Sequence, residues 1–193
     1  MNQVHEMLIL HDGRIGEAVE RLQSLFALMA TQPGFIDASV GRGIDDPTRL
    51  LVLHAWERLE DWTAFSASPA KVAFSATRPD ALYTFEPTAM NWKVDQASGA
   101  ITDATIVRRT ICREGAGPGL GHASATRIGR YVDNDPRFSG ATLQLAYYAG
   151  FDAYRAARVP VGRRARAYLA DDAYQLLASR FAPRHVMSAA RAT

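Results

Sequence analysis

Cysteine occurs once in this chain, at Cys112. An intrachain disulfide and a cysteine metal cluster are therefore both excluded. Lysine is almost absent: Lys71 and Lys93 stand beside twenty arginines, a bias of composition rather than of mechanism. No apolar run approaches the roughly 20 residues that span a bilayer. The opening MNQVHEMLIL has neither the basic start nor the cleavage site of a signal peptide, so a cytoplasmic protein without a membrane partner is expected. The five histidines, at 5, 11, 54, 122 and 185, show no HxxxH spacing, so no metal is expected. No GxSxG elbow places a nucleophile. The run GAGPGLG at 115–121 carries a proline where a dinucleotide fingerprint needs an open turn, and it reads as a loop.

A surplus of charge of either sign is also lacking. A net charge of +2 over 193 residues is too small to imply a polyanion, and nucleic acid is not expected as a partner. The surplus sits late: from Phe151 onward there are eight Arg against three Asp, read as the wet face of a helix.

What remains is a globular composition, 48% apolar and 22% charged. Val4 to Leu10 is β-prone, with Asp12 a candidate N-cap for a helix whose Ile15, Val19, Leu22, Leu25, Phe26 and Met29 fall on one face. Pro33-Gly34 then breaks the chain, and Phe35 to Val40 forms a strand. Asp45-Asp46-Pro47 turns it, and Leu50 to Trp56 forms another strand. In the latter, Leu50, Val52, His54 and Trp56 alternate with Leu51, Leu53 and Ala55, so both faces are expected to be covered. Two short helices are expected at 57–65 and 69–76, then a strand at ALYTF continuing through Asn91 to Val94. This β-α-β-β-α-β order is the ferredoxin-like plan. Asp95 to Gly99 reads as a linker, which gives domains 1–94 and 100–193.

The second half opens with a strand at Thr105 to Cys112, followed by a weakly helical stretch from His122 to Val132. Leu143 to Tyr154, LQLAYYAGFDAY, sets without a gap under Leu51 to Trp62, LVLHAWERLEDW, at an offset of 92 residues. Tyr148 falls under Trp56 and Tyr154 under Trp62. With Phe138 as the counterpart of Phe35, this copy is about a strand and a turn too short, so a lost or merged strand is expected. A helical tail with Ala167, Leu169, Tyr174, Leu176, Leu177 and Phe181 as core would follow, and a last short strand at 185–187. The expected architecture is α+β: two ferredoxin-like units, antiparallel sheets with helices on one face, forming an intrachain dimeric α+β barrel. This pseudo-dimer leaves pairing into a homodimer open.

The strand, turn, strand and helix start from Gln32 to Phe65, QPGFIDASVGRGIDDPTRLLVLHAWERLEDWTAF, resembles the antibiotic biosynthesis monooxygenase family. The resemblance implies a pocket between sheet and helices, lined by the Trp that ends the third strand, here Trp56. It implies cofactor-free oxidation of a small aromatic or polyketide-like substrate by O2. The alternative is a non-catalytic binding or sensing module on the same fold. Anthrone-oxidising members carry an Asn four residues before that Trp, where this chain has Val52. Haem-degrading members need a His in the following helix, and none occurs between Trp56 and His122. Candidate catalytic residues are His54 and Trp56. His54 shares a strand face with Trp56 and is read as a candidate general base, though either side chain also fits a plain core role. Candidate substrate-binding residues are Arg42, Trp62, Tyr83, Asn91 and Trp92.

Overall fold

The computed structural model of the chain describes residues 1–79, 82–84, 89–113, 123–157 and 168–181. The first half contains β1 (Asn2–Ile9), α1 (Ile15–Met29), β2 (Phe35–Gly43), β3 (Arg49–Trp56), α2 (Leu59–Ser66), α3 (Pro69–Ala76) and β4 (Ala89–Gly99). The second contains β5 (Ile106–Cys112), β6 (Ala125–Tyr131), β7 (Thr142–Tyr148), α4 (Phe151–Ala157) and β8 (Tyr168–Phe181), with a short 3-10 turn at Pro136–Phe138. Around one closed barrel the strands run β1-β3-β2-β8-β5-β7-β6-β4. Numbered within each half, both sheets have the order 4-1-3-2 of the ferredoxin-like unit. Two antiparallel seams join them, β2 on β8 and β6 on β4, so each half lends its second strand to the other half's fourth. This is a dimeric α+β barrel made by one chain.

The two-faced strand explains why the barrel closes. Every residue of β3 from Leu50 to Trp56 is buried. Leu50, Val52 and Trp56 pack with Leu22, Phe26 and Met29 of α1, whereas Leu51 and Leu53 point into the barrel against Trp92, Leu143, Tyr147 and Tyr174. Burying one such side chain stabilises the fold by about 1.5–3 kcal/mol, and a lone sheet with helices on one side forfeits half of these contacts. The second cover comes from the other half of the chain. Polar pairs inside the barrel tie the halves together: Arg127 of β6 donates to Asp37 of β2 in two bonds and to Gln3 Oε1 of β1 at 2.6 Å. Within the second half, Arg109 of β5 meets Asp172 of β8.

The two seams share one device. Gly41 faces β8 and Gly129 faces β4, and a Cβ on either would come within 2.8 Å of its neighbour, the Tyr174 Cβ or the Lys93 carbonyl oxygen. Both seams carry a register shift close to that glycine. The strands approach more closely there than a side chain permits.

Several expectations are corrected. The second half has lost no strand: β6 occupies Ala125–Tyr131, where a weak helix was expected, and Phe138 belongs to the 3-10 turn rather than to a counterpart of β2. Alternating Ile128 and Arg127 with glycine suits a half-buried strand, and the helical period had little to support it. The linker at 95–99 is the end of β4, paired with β6. The helical tail is the long strand β8, in which Tyr174 and Leu176 face the barrel while Leu169 and Leu177 are exposed. Leu177 is the residue skipped at the register shift, which is why an apolar side chain there reaches solvent. Of ALYTF, Tyr83 bridges to Leu10, while Ala81 and Phe85 lie outside the described residues. Asp12 does not cap α1; the N-cap position is Arg14, which has no capping side-chain bond. The glycine-rich run at 115–121, Ala167 and the strand at 185–187 lie outside the described residues.

Other expectations hold. The helices expected at 57–65 and 69–76 are α2 and α3, the latter with Pro69 at its first turn and Ser68 accepting from the Lys71 amide at 3.2 Å. The offset of 92 residues that aligned the two segments also places β7 under β3 and α4 under α2.

Candidate functional site

Alternation along β1 turns Val4, Glu6 and Leu8 toward the helices and Gln3, His5 and Met7 into the barrel. Val4 and Leu8 belong to the core beneath α1, so Glu6 places a carboxylate on an otherwise apolar strand face. It lies on the floor of a cleft of about 220 Å³. Leu22 and Leu25 of α1 form one wall, Trp62 of α2 and Phe74 of α3 another, and Tyr83 closes the end beside β4.

Behind Glu6 lies His54 of β3, fully buried. Its partner fixes its tautomer. Trp56 Nε1–H, which can only donate, donates to His54 Nδ1 at 2.8 Å. The neutral ring thus carries its proton on Nε2, and Nε2 lies 3.7 Å from Glu6 Oε1 with no hydrogen bond of its own. The Trp62 ring packs over the imidazole at 4.6 Å between centroids and separates it from the cleft. Trp56 is fully buried, stacked on Phe65 at 5.5 Å and edge-on to Phe35 at 5.6 Å. A chain of contacts therefore runs from Trp56 through His54 to Glu6, and only Glu6 opens to the cleft. Among the described residues no group of three His, Cys, Asp or Glu side chains is placed to hold a metal ion.

Of the residues singled out from sequence, His54, Trp56, Trp62 and Tyr83 gather here. Three lie elsewhere. Arg42 sits at the β2–β3 turn, its Nε donating to the Pro47 carbonyl at 3.1 Å, beside a separate groove of about 490 Å³ against Phe151 and Gln175 of the second half. Asn91 donates to Asp133 Oδ1 at 3.0 Å and accepts from Asn2 at 3.3 Å. Trp92 is inside the barrel, 5.4 Å from His5 and 5.2 Å from Tyr131 between ring centroids. His5 is on that inner side as well, and burial, reinforced by Arg109, holds its imidazole well below the usual histidine range. Glu6, Phe74 and the cations at the mouth escaped the sequence reading. The signal for Glu6 was available: a charged residue in phase with Val4 and Leu8 on a face that should be apolar.

The same place in the second half has different chemistry. Strand pairing sets Thr110 where Glu6 lies and Ala146 where His54 lies. A carboxylate is present, from Asp171 of β8, but Arg108 grips both its oxygens at 2.7 Å and Thr110 donates to it at 3.3 Å. Cys112, next on that face, is buried, and burial pushes its thiol up to about 11.

A closed antiparallel barrel with a helix-covered cleft defines the class, the dimeric α+β barrel. Residues 4–77, which form the wall and floor of that cleft, match the family model described as antibiotic biosynthesis monooxygenase, and this stretch is a domain of that family. Solved structures agree over nearly the whole chain. An "anthrone oxidase-like protein" superposes with a TM-score of 0.65 at 13% identity, covering 97% of this chain and 96% of its own. A "putative monooxygenase" of Fusobacterium nucleatum gives 0.71 at 10% identity, covering 93% and 94%. One of the same description from Lactobacillus acidophilus gives 0.66 at 10%, covering 93% and 95%. At such identities the likeness is one of fold. No curated protein matches the chain. No helix among the described residues is long and apolar enough to cross a membrane.

Proposed function

We propose that the chain is a cofactor-independent monooxygenase that oxidises a small aromatic substrate with O2 in the cleft above Glu6. One observation carries this: a carboxylate on the floor of an aromatic-walled cleft, backed by a buried histidine whose Nε2 lies 3.7 Å from it. Glu6 takes the proton from an activated methylene beside an aromatic ring, and the carbanion passes its electrons to O2 as a C–O bond forms. The peroxide takes that proton back. Loss of the second C–H proton to Glu6, with cleavage of the O–O bond, then leaves a carbonyl and releases water. In balance, the methylene and one molecule of dioxygen give the carbonyl and one molecule of water. In this scheme His54 and Trp56 are positioning residues: Trp56 holds the imidazole so that its Nε2–H faces Glu6, and the pair closes to hydrogen-bond distance when substrate seats the carboxylate. Trp62 and Tyr83 contact the ring. Arg42, Asn91 and Trp92 lie away from the cleft and contact no substrate in this scheme.

The same strand order in each half and the shared offset of 92 residues support a division by tandem duplication that falls after β4 rather than at 94, with the first copy carrying the reaction. The cytoplasm is the compartment we assign.

Oxygen uptake with anthrone and one- and two-ring hydroquinones tests the function. Consumption abolished in Glu6→Gln supports it. Saturable quenching of Trp fluorescence without any oxygen uptake would replace it with the second function, a binding or sensing module.

A further inference from the structure

The two seams of the barrel are built alike and end differently. Register sets Arg42 of β2 against Gln175 of β8 in one, and Arg130 of β6 against Lys93 of β4 in the other. Two positions beyond Gln175 and Lys93 comes the residue skipped at each register shift, Leu177 in β8 and Asp95 in β4. Asp95 takes its arginine in a two-pronged pair: Arg130 donates through Nε at 2.7 Å and through a terminal nitrogen at 3.0 Å. In the other seam a leucine stands where that carboxylate would be. Arg42 instead donates its Nε to the Pro47 carbonyl at 3.1 Å, and its two terminal nitrogens meet no partner among the described residues.

Arg42 lines the groove of about 490 Å³ that crosses this seam. Ile44 and Pro47 supply its apolar wall from the first half, Ile106 and Phe151 from the second, and the Phe151 ring is 41% exposed. Strand pairing puts the Gln175 side chain beside Arg42 on the same face, where its amide is likewise unspent among the described residues. Arg155 lies 4.6 Å from the centre of the Phe151 ring and adds positive charge to that wall. No carboxylate of a described residue lines the groove. The corresponding groove at the other seam, of about 300 Å³, has Val132, Leu59 and Lys93 in the places of Ile44, Phe151 and Gln175. Glu57 and Glu60 line it too, and its arginine is already held by Asp95.

From this difference we infer that the groove at the β2–β8 seam is a second binding site, separate from the cleft above Glu6, and that its ligand is a small aromatic carboxylate. The carboxylate lies on Arg42 with Gln175 beside it, and the ring rests against Ile44, Ile106 and Phe151. A guanidinium presents a planar fork that fits a carboxylate, and here that fork is left open by the loss of an internal partner. The volume falls within the range of roughly 300–1,000 Å³ typical of small-molecule sites. Because both halves of the chain line the groove, an occupant bridges the seam and stabilises the closed barrel.

The test is isothermal titration calorimetry of the full chain with 2-naphthoate and with its neutral isostere 2-naphthamide. Naphthoate should bind more tightly, with the difference shrinking as ionic strength rises to about 0.5 M. Arg42→Gln should weaken naphthoate about 10–100-fold. Leu177→Asp rebuilds the pair found in the other seam and should weaken it comparably, because Arg42 then has a carboxylate of its own. Leu177→Asn, of the same size and neutral, should bind as the wild type does. The thermal midpoints of the unliganded variants should match the wild type, since Arg42 and Leu177 are both exposed. Equal affinity for the two ligands, or no binding of either, overturns the site. Naphthoate binding that survives both Arg42→Gln and Leu177→Asp places the anion elsewhere and overturns it as well. Glu6→Gln should leave naphthoate binding unchanged, and a loss there would put the ligand in the cleft instead.

Discussion

The two halves of this barrel have the same strand order and opposite treatment of a carboxylate on the helix side of the sheet. In the first, Glu6 faces a cleft with the neutral N–H of a buried histidine behind it. In the second, Asp171 is clamped by Arg108 in a two-pronged ion pair. A carboxylate bound to a guanidinium through both oxygens is committed to that partner, which suits it to holding strands together. On the function proposed above, the partner rather than the fold decides whether a carboxylate on this side of the sheet is a base or a brace. Two copies on one chain can diverge in this way, because a substitution in one is not repeated in the other.

The largest effect expected is on the reactive side. Glu6→Gln should lower oxygen consumption by about 10²–10⁴-fold while leaving the denaturant midpoint nearly unchanged. Asp171→Asn should do the reverse, leaving turnover intact and costing about 3–5 kcal/mol in urea unfolding, since buried Arg108 loses its counter-charge. A variant Asp171→Asn that lost activity and kept its stability would erase the contrast between the halves. Next in size are the seams. Gly41→Ala and Gly129→Ala should each destabilise by about 1–3 kcal/mol, and near-equal losses would show that both seams are built alike.

The smallest effect expected is a pH dependence from the barrel interior. The folded pKa of His5 lies below its unfolded value of 6.5, so the unfolded chain binds the extra proton as pH falls. Stability is complete above that value and declines beneath it, by up to about 1.4 kcal/mol per pH unit. Replacing His5 by Gln should flatten this slope in urea titrations between about pH 6.5 and 5.

Much of the fold could be read from the sequence, because β3 alternates large apolar residues on both faces and α1 repeats them every 3.6 residues. Both patterns are strong and local. The second half was harder to read for a physical reason. β6 is Ala125–Tyr131, ATRIGRY, in which arginines and a glycine dilute the alternation; Arg127 is inward-facing because it has Asp37 and Gln3 to meet, partners 90 and 124 residues away. A buried ion pair looks like a surface pattern until both members are known. The same limit hid the site. His54 and Trp56 stood out because they are two apart on one strand, whereas Glu6 gains its meaning from β1 lying beside β3, a pairing that no local spacing reveals.

The cross-seams of β2 with β8 and of β4 with β6 have a further consequence. Where two separate subunits contribute the sheets, dilution dissolves the barrel, and folding depends on how much protein is present. Here residues 100–105 tether the sheets and fix their local concentration whatever the dilution. The melting temperature should therefore stay constant across a thousandfold change in protein concentration, and a cell that makes only a few copies would still have every one of them closed.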